Sequence, residues 1–187
     1  FWNFGSKGAS SIAEQLENPK TNLATQIISS DGVVLGKFYF NDNRTPITFD
    51  ELPKNIVNAL IATEDERFFS HSGIDLKGTL RALFYLGGKG GASTISQQLA
   101  RALFVGVRSR NITEAVLQKF KEWVLAVKLE RSYTKKEIIA MYLNVYDFGY
   151  SADGIQSAAK IYFNTTPKNL NIEQSATLVG MLQNSSY

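Results

Sequence analysis

Four short patterns, each typical of a helix N-terminus, constrain the fold of this chain more than any other feature. Each has Thr or Asn followed three residues later by Glu or Gln, and an apolar-periodic run comes next: Thr94-x-x-Gln97, Asn111-x-x-Glu114, Thr134-x-x-Glu137 and Asn171-x-x-Gln174. In such a capping box the two side chains satisfy backbone N–H groups at the start of the helix. The pattern therefore predicts a series of helices from Pro53 onward.

The residues before Pro53 favour a small β portion instead. Two runs typical of strands, 25–29 and 33–40, flank Ser30-Asp31-Gly32, which is a hairpin turn signal. We therefore expect a mainly α fold with a small N-terminal β-hairpin. A length of 187 residues fits one such domain with a small appendage. The expected division is a linker and hairpin region at 1–51 and a helical domain at 52–187.

Composition excludes several classes of function. The sequence has no cysteine, so a disulfide framework and thiolate chemistry are ruled out. It has one histidine, His71, so a multi-histidine metal site within one chain is impossible. A formal net charge of +3 without long basic runs gives no reason to expect nucleic acid as a partner. No window of the sequence approaches the roughly 18 apolar residues of a membrane span.

A cluster of carboxylates follows the first predicted helix. Glu64, Asp65 and Glu66 stand at the end of an apolar-periodic run, where the backbone already presents partial negative charge. Acidic side chains are unfavourable at that position, so their presence calls for an explanation. Crowded carboxylates beside apolar surface are one way in which a protein prepares a general base. A solvated acidic turn accounts for the same residues equally well.

A second candidate segment joins a glycine-rich stretch to polar side chains. Residues 87–91 form a candidate mobile loop that opens a helix, and such a loop exposes backbone N–H groups suited to an anion. Five hydroxyl or amide side chains suited to sugars or phosphates follow: Ser93, Thr94, Ser96, Gln97 and Gln98. Capping alone explains Thr94 and Gln97, but it does not explain five such side chains within six positions.

A third candidate segment is the helix predicted from about 112 to 131. Its apolar periodicity predicts a buried stripe of Ile112, Val116, Phe120, Trp123, Val124 and Val127. Lys119 and Glu122 lie three residues apart at one edge of that stripe. The small residues Ala115 and Ala126 lie on the same strip and leave room for a ligand to approach the charges. A plain i,i+3 ion pair is the alternative interpretation.

These segments resemble the five motifs of the peptidoglycan glycosyltransferase domain of class A penicillin-binding proteins and monofunctional transglycosylases. The motifs occur in order: Glu64-Asp65-x-x-Phe68-x-x-His71-x-Gly73, then 91–101, then Lys119-Phe120-Lys121-Glu122, then 136–144, then 154–163. Three positions depart from the usual pattern. Ala92 stands where a second glycine is usual, Arg101 where lysine is usual, and Gln118 where arginine is usual.

The resemblance implies a lysozyme-like, mainly helical fold that polymerises lipid II by inverting transfer. The sugar 4-hydroxyl of the acceptor attacks the anomeric carbon of the growing donor chain, and lipid pyrophosphate departs. Glu64 is implied to be the catalytic base and Glu122 the second catalytic glutamate, whereas His71 is implied to be structural. The implied substrate-binding residues are Ser93, Gln97, Gln98, Arg101 and Lys119.

The resemblance also implies partners, location and cofactors. The expected partners are lipid II, the growing glycan strand and the membrane surface, with no nucleic acid, and a transpeptidase domain beyond the C-terminus is compatible with them. The expected location is the extracytoplasmic (periplasmic) face of the cell membrane. The resemblance implies no tightly bound cofactor and no protein metal ligands, although a divalent cation such as Mg or Mn could assist departure of the pyrophosphate.

Two rival functions and one open interpretation remain. A muramidase-like glycoside hydrolase would use the same fold but needs no pyrophosphate site, so the presence of Ser93, Gln97, Arg101 and Lys119 argues against it. A catalytically silent cell-wall scaffold would lose its acids, whereas Glu64 and Glu122 are both present. The apolar segment 80–86 fits either a contact with the membrane interface or ordinary core packing.

Overall fold

A computed structural model describes residues 25–28, 34–38, 46–84, 93–107 and 109–183. Strands β1 (Thr25–Ile28) and β2 (Val34–Phe38) pair in antiparallel fashion, with a register shift near the end of β1. The predicted turn at Ser30-Asp31-Gly32 and the glycine-rich stretch 87–91 lie outside the described residues. Both therefore stay predictions.

The described part of the chain is mainly helical. It contains seven α-helices: α1 (Lys54–Glu64), α2 (Leu76–Phe84), α3 (Ile95–Ala100), α4 (Ile112–Ser132), α5 (Lys135–Val145), α6 (Gly154–Phe163) and α7 (Ile172–Gln183). A π-helical segment, Arg101–Val105, continues α3, and short 3-10 helices lie at Phe49–Glu51, Phe68–Ser70 and Pro167–Asn169. The prediction of a mainly α fold is confirmed.

Two of the four predicted capping boxes are complete. At the start of α5, the Thr134 hydroxyl accepts from the Glu137 amide, and the Glu137 carboxylate accepts from the Thr134 amide at 2.7 Å. Before α7, the amides of Asn171 and Gln174 donate to each other's side-chain oxygens at 3.0 and 2.8 Å. These helix starts are encoded locally, since both partners lie within four residues.

The other two predicted boxes supply an N-cap without the reciprocal bond. Asn111 caps α4 by accepting from the Thr113 amide at 3.0 Å. Thr94 caps α3 by accepting from the Gln97 amide at 3.2 Å. The Gln97 side chain does not return to Thr94, because it is engaged by residues from other parts of the fold. Because the Gln97 side chain binds distant residues and does not complete its own capping box, the surroundings of α3 are a candidate for a functional site.

The hydrophobic core surrounds α3. Ile95, Leu99 and Ala100 of this helix are fully buried, and α3 packs against both α4 and α5, while α1 packs against α7. Phe68, from the loop after α1, is also fully buried, and the Lys135 ammonium lies 4.1 Å from the centroid of its ring. Because α3 is enclosed on several sides, its consecutive side chains meet different neighbouring helices.

The predicted buried stripe of α4 is wrong. Ile112 is 81% exposed and Phe120 is 56% exposed. The face toward the core carries Glu122, Leu125, Ala126 and Leu129. Apolar residues occupy more than one side of α4, and periodicity alone does not tell which side meets the core. The apolar face exposed as a result consists of Ile112, Val116, Leu117, Phe120 and Val124.

Candidate active site

Glu64 is the last residue of α1, and its carboxylate is held through one oxygen. The Gln98 side chain donates through Nε2 to Glu64 Oε2 at 2.8 Å. The other oxygen, Oε1, is the one buried side-chain nitrogen or oxygen of the described residues that has no hydrogen-bond partner. Leaving a buried acceptor unpaired costs free energy. An unpaired carboxylate oxygen is also what a general base requires in order to take a proton.

Asp65 is buried and fully engaged within the fold. Its two oxygens lie 3.1 and 3.0 Å from His71 Nε2, and Oδ2 also accepts from the Ile95 amide at 3.1 Å. The Gly73 amide donates to His71 Nδ1 at 3.2 Å, which leaves Nε2 as the protonated nitrogen that donates to Asp65. His71 therefore orients Asp65 and is not placed to act as a base.

Gly73 brings the loop after α1 directly against α4. Its φ is +95°, and a Cβ at this position would lie 2.9 Å from the backbone carbon and oxygen of Ala126. The Gly73 carbonyl accepts from Thr94 Oγ1 at 2.7 Å and from Gln97 Nε2 at 3.3 Å. A residue without a Cβ is required by both the conformation and the close approach. One donor of the Gln97 amide is thereby fixed.

Lys119 forms a second polar cluster beside α3. Its Nζ donates to Ser93 Oγ at 2.8 Å, to Gln97 Oε1 at 3.0 Å and to Glu122 Oε2 at 2.9 Å. An ammonium group has three N–H donors, so all of them are used. Glu122 is only 4% exposed. The plain i,i+3 ion pair that the sequence allowed thus accounts for one of three contacts that Lys119 makes.

Two consecutive residues of α3 connect these clusters. Gln97 faces Lys119 on α4, whereas Gln98 faces Glu64 and also accepts from the Tyr142 hydroxyl of α5 at 3.0 Å. Successive residues of an α-helix are about 100° apart around the axis, so neighbouring side chains point to different partners. The structure therefore brings together Glu64 with Gln98, and Ser93 and Gln97 with Lys119 and Glu122.

The sequence predicted free backbone N–H groups for an anion at the start of α3. For two of these amides the prediction is wrong. The first N–H groups of a helix have no partner within the helix and are the groups that would bind an anion. Here the Ile95 amide donates to Asp65, and the Gln97 amide donates to Thr94. Side chains of the protein itself therefore satisfy these groups.

Ser96 was expected to suit a ligand, but it lies in the interior. It is fully buried, and its hydroxyl donates to Glu130. Lys135 donates to the same Glu130 carboxylate at 2.7 Å and to the His71 carbonyl at 2.7 Å. This network holds α3, α4, α5 and the loop after α1 together. Sequence reasoning missed Glu130 and Lys135, because no spacing signal links residues on four separate elements.

Gln118, at a position where arginine is usual, is bonded to the segment before α4. Its Oε1 accepts from the Ser109 amide at 2.8 Å, and its Nε2 donates to the Val107 carbonyl at 3.3 Å. Gln118 therefore holds the backbone of the segment before α4 in place and contributes no charge. Ala92 and Arg108 lie outside the described residues.

Two pockets flank the two clusters. A groove of about 380 Å³ runs along α4 beside Lys119 and is otherwise lined by apolar residues, including Ile112, Phe120 and Trp123. A second pocket, of about 280 Å³, has Gln98, Arg101 and Tyr142 in its lining. The two cations that the sequence assigned to one pyrophosphate, Lys119 and Arg101, thus line different pockets.

No three side chains among His, Asp and Glu gather closely enough to hold a metal ion within the residues that the structure describes. Glu122 is already paired with Lys119, and Asp65 with His71.

This mainly helical domain thus has two parts that a group-transfer enzyme uses, a buried carboxylate oxygen without a partner and a separate lysine–glutamate cluster. Residues 31–187 match the Transglycosylase family, and the chain belongs to it. Penicillin-binding protein 1A of Escherichia coli (strain K12) is 38% identical over 170 residues, covering 89% of this chain and 19% of that protein. Penicillin-binding protein 1F of Bacillus subtilis (strain 168) is 38% identical over 162 residues, covering 84% and 22%. Penicillin-binding protein 1A of Vibrio cholerae serotype O1 is 36% identical over 171 residues, covering 89% and 19%. The chain thus spans about a fifth of the length of these relatives.

Proposed function

We propose that this domain is a peptidoglycan glycosyltransferase that polymerises lipid II with inversion, and that Glu64 is its general base. In the reaction, the acceptor 4-hydroxyl oxygen bonds to the donor anomeric carbon, and the bond from that carbon to the lipid pyrophosphate breaks. The hydroxyl proton passes to Glu64, and the electron pair leaves with the pyrophosphate. The observation that carries the proposal is the buried Glu64 Oε1 without a partner, in a chain of the Transglycosylase family.

The Lys119 cluster supports a role in binding the departing pyrophosphate. Phosphate oxygens are strong acceptors, and they can exchange with Ser93 and Gln97 as partners of the Lys119 ammonium. Glu122 would then hold the cation in position through the transfer. Arg101 lines the other pocket, next to Tyr142, which supports a role on the side of Glu64.

The exposed apolar face of α4 supports contact with the membrane surface that carries a lipid substrate. The groove beside Lys119 is mostly apolar, so a lipid chain attached to a pyrophosphate bound at Lys119 would lie against apolar surface. Leu76 and Leu80 of α2 are also exposed, and the side chains of 82–86 lie outside the described part. None of the helices that the structure describes is long and apolar enough to cross a membrane. The proposed location is the extracytoplasmic face of the cell membrane.

A divalent cation enters this proposal only as a companion of the substrate. The described residues hold no group of three or more His, Asp or Glu side chains for it, and we infer that it would be carried mainly by the pyrophosphate oxygens. No step of the proposed transfer is assigned to it.

The test is incubation with labelled lipid II, followed by separation of polymer from hydrolysed monomer. We expect polymer and released lipid pyrophosphate from the unmodified protein, and a loss of rate on the order of 10²–10⁴-fold in Glu64→Gln, as for removal of a general base. Glu66→Gln is the matched control, because Glu66 is the exposed neighbouring carboxylate. A normal rate in Glu64→Gln would refute the base assignment, and hydrolysed monomer without polymer would favour the hydrolase.

A further inference from the structure

Tyr142 and Glu64 are joined through one side chain, although they are far apart in sequence. The Tyr142 hydroxyl donates to Gln98 Oε1 at 3.0 Å, and Gln98 Nε2 donates to Glu64 Oε2 at 2.8 Å. The three residues come from α5, α3 and the end of α1. The pair Tyr142–Gln98 is separated by 44 residues and the pair Gln98–Glu64 by 34.

The donors and acceptors of the three side chains determine the direction of each hydrogen bond. An ionised carboxylate only accepts hydrogen bonds, so Gln98 must turn its NH₂ group toward Glu64. The Gln98 carbonyl then faces Tyr142, whose hydroxyl must donate. With the amide rotated by half a turn, two oxygens would meet at Glu64. The Glu64 carboxylate therefore sets the orientation of the Gln98 amide, and the phenol holds the amide in place by donating to its carbonyl oxygen.

Tyr142 stays a donor because of its surroundings. It is 3% exposed, and burial, together with the nearby negative charge of Glu64, raises the pKa of its hydroxyl well above the ordinary value. The Tyr142 hydroxyl thus keeps its proton at neutral pH. The neighbouring Tyr146 ring packs beside it at 5.9 Å between centroids, which restrains the phenol further.

We propose that Tyr142 is a positioning residue, which acts through Gln98 to hold Glu64 Oε2 and thereby keeps Oε1 turned toward the reacting hydroxyl. The inference rests on the proposed function, since it takes Glu64 as the base. Gln98 contacts the base directly, whereas Tyr142 is one hydrogen bond further away. Two fixed bonds in series define the direction of the carboxylate, and small misplacements of a reacting group are costly to the rate.

The test begins with Tyr142→Phe, which removes the hydroxyl and keeps the ring. We expect kcat for lipid II polymerisation to fall roughly 10- to 100-fold with little change in KM. We also expect the acidic limb of the pH–rate profile to move to higher pH, because a carboxylate with a weakened donor holds its proton more readily. An unchanged kcat or an unshifted acidic limb would overturn the inference.

The matched control is Tyr162→Phe. The Tyr162 hydroxyl donates to the backbone carbonyl of Phe148 at 2.8 Å and has no part in the proposed chemistry. This substitution removes the same atoms from a tyrosine that is partly buried, whereas Tyr142 is buried. We expect it to lower the melting temperature while kcat and the pH–rate profile stay as in the unmodified protein. An equal fall of kcat in both variants would overturn the inference, since it would mean that loss of stability alone is responsible.

A double-mutant cycle separates action through Gln98 from a general effect of Tyr142. If Tyr142 acts through Gln98, then Tyr142→Phe has no further effect on kcat in a Gln98→Ala background. The same fold-loss in both backgrounds would overturn the inference. Glu64→Gln is assayed in parallel, because full activity there would refute the proposed base independently. An inactive Glu64→Gln with additive effects of Tyr142 and Gln98 would overturn the positioning role alone.

Discussion

Removal of the Lys119 ammonium tests the second cluster, because it leaves a buried carboxylate without its cation. Glu122 is 4% exposed and Gln97 is 1% exposed. In Lys119→Ala the Glu122 carboxylate and the Gln97 side-chain oxygen would both lose the ammonium that donates to them. Breaking a buried ion pair by removal of one partner costs about 3–5 kcal/mol. The low end applies here, because the Lys119 side chain is itself 28% exposed and water can replace part of what is lost.

We therefore expect Lys119→Ala to lower the free energy of unfolding by about 3 kcal/mol. For a domain of this size each kcal/mol corresponds to roughly 2–4 °C, so the melting temperature should fall by about 6–12 °C. Lys121→Ala is the matched control, since Lys121 is exposed on the same helix, and it should change stability by less than about 0.5 kcal/mol. The assay is thermal unfolding followed by circular dichroism.

A double substitution then separates stability from function. In Lys119→Ala with Glu122→Gln the buried charge is gone, so about 2 kcal/mol of the loss should return. Polymerisation should not return, because the cation proposed to bind the pyrophosphate is still missing. In Lys119→Ala the apparent affinity should fall more for the pyrophosphate-bearing donor than for the acceptor. A melting temperature like that of the unmodified protein in Lys119→Ala would refute the reasoning about burial, and recovered activity in the double variant would refute the phosphate role.

Three further predictions concern α1 and the loop that follows it. Glu64→Gln should leave the melting temperature almost unchanged while activity is lost, because the new amide keeps a carbonyl oxygen for the Gln98 donor and removes a charge from a site where one oxygen has no partner; a fall of several degrees would contradict this. Gly73→Ala should lower the free energy of unfolding by about 2–4 kcal/mol, because φ at this position is +95° and an added Cβ would collide with the backbone of α4. The control is Gly180→Ala, where an added Cβ has open space, and its free energy of unfolding, measured by chemical denaturation, should rise by about 0.5–1 kcal/mol. The hydrogen bond from Arg67 holds the pKa of Asp75 below its usual range, so this pair stabilises the fold at neutral pH and the benefit is lost as pH falls below about 4. The difference in melting temperature between the unmodified protein and Asp75→Asn should therefore shrink from pH 7 to pH 3, and a constant difference would be the contrary result.

The sequence predicted those features of the fold that depend on nearby residues. The helix expected from about 112 to 131 is α4, Ile112–Ser132. The start of α5 is a complete capping box, as predicted, because Thr134 and Glu137 find each other within one helical turn. The buried face of α4 could not be predicted in this way. Apolar residues lie on two sides of that helix, and the choice between them depends on how α3 packs against it.

The resemblance named candidate site residues, but it did not predict which of them contact one another. Motif resemblance named Glu64, Gln98, Lys119 and Glu122, and the structure brings them into two clusters. No property of the sequence showed that Gln98 would bond to Glu64 while its neighbour bonded to Lys119. Tyr142 was missed for the same reason, since a buried tyrosine in an amphipathic helix looks like any other core residue until its hydroxyl is seen to meet a partner.

The choice of glutamine at both positions follows from the contacts of α3. Each amide donates in one direction and accepts in the other: Gln97 links the Gly73 carbonyl to the Lys119 ammonium, and Gln98 links the Glu64 carboxylate to the Tyr142 phenol. A charged side chain at either position could not serve both partners, because a carboxylate only accepts and an ammonium only donates. A neutral helix therefore separates the Glu64 carboxylate from the paired Lys119 ammonium, and it holds both side chains without adding charge to either cluster.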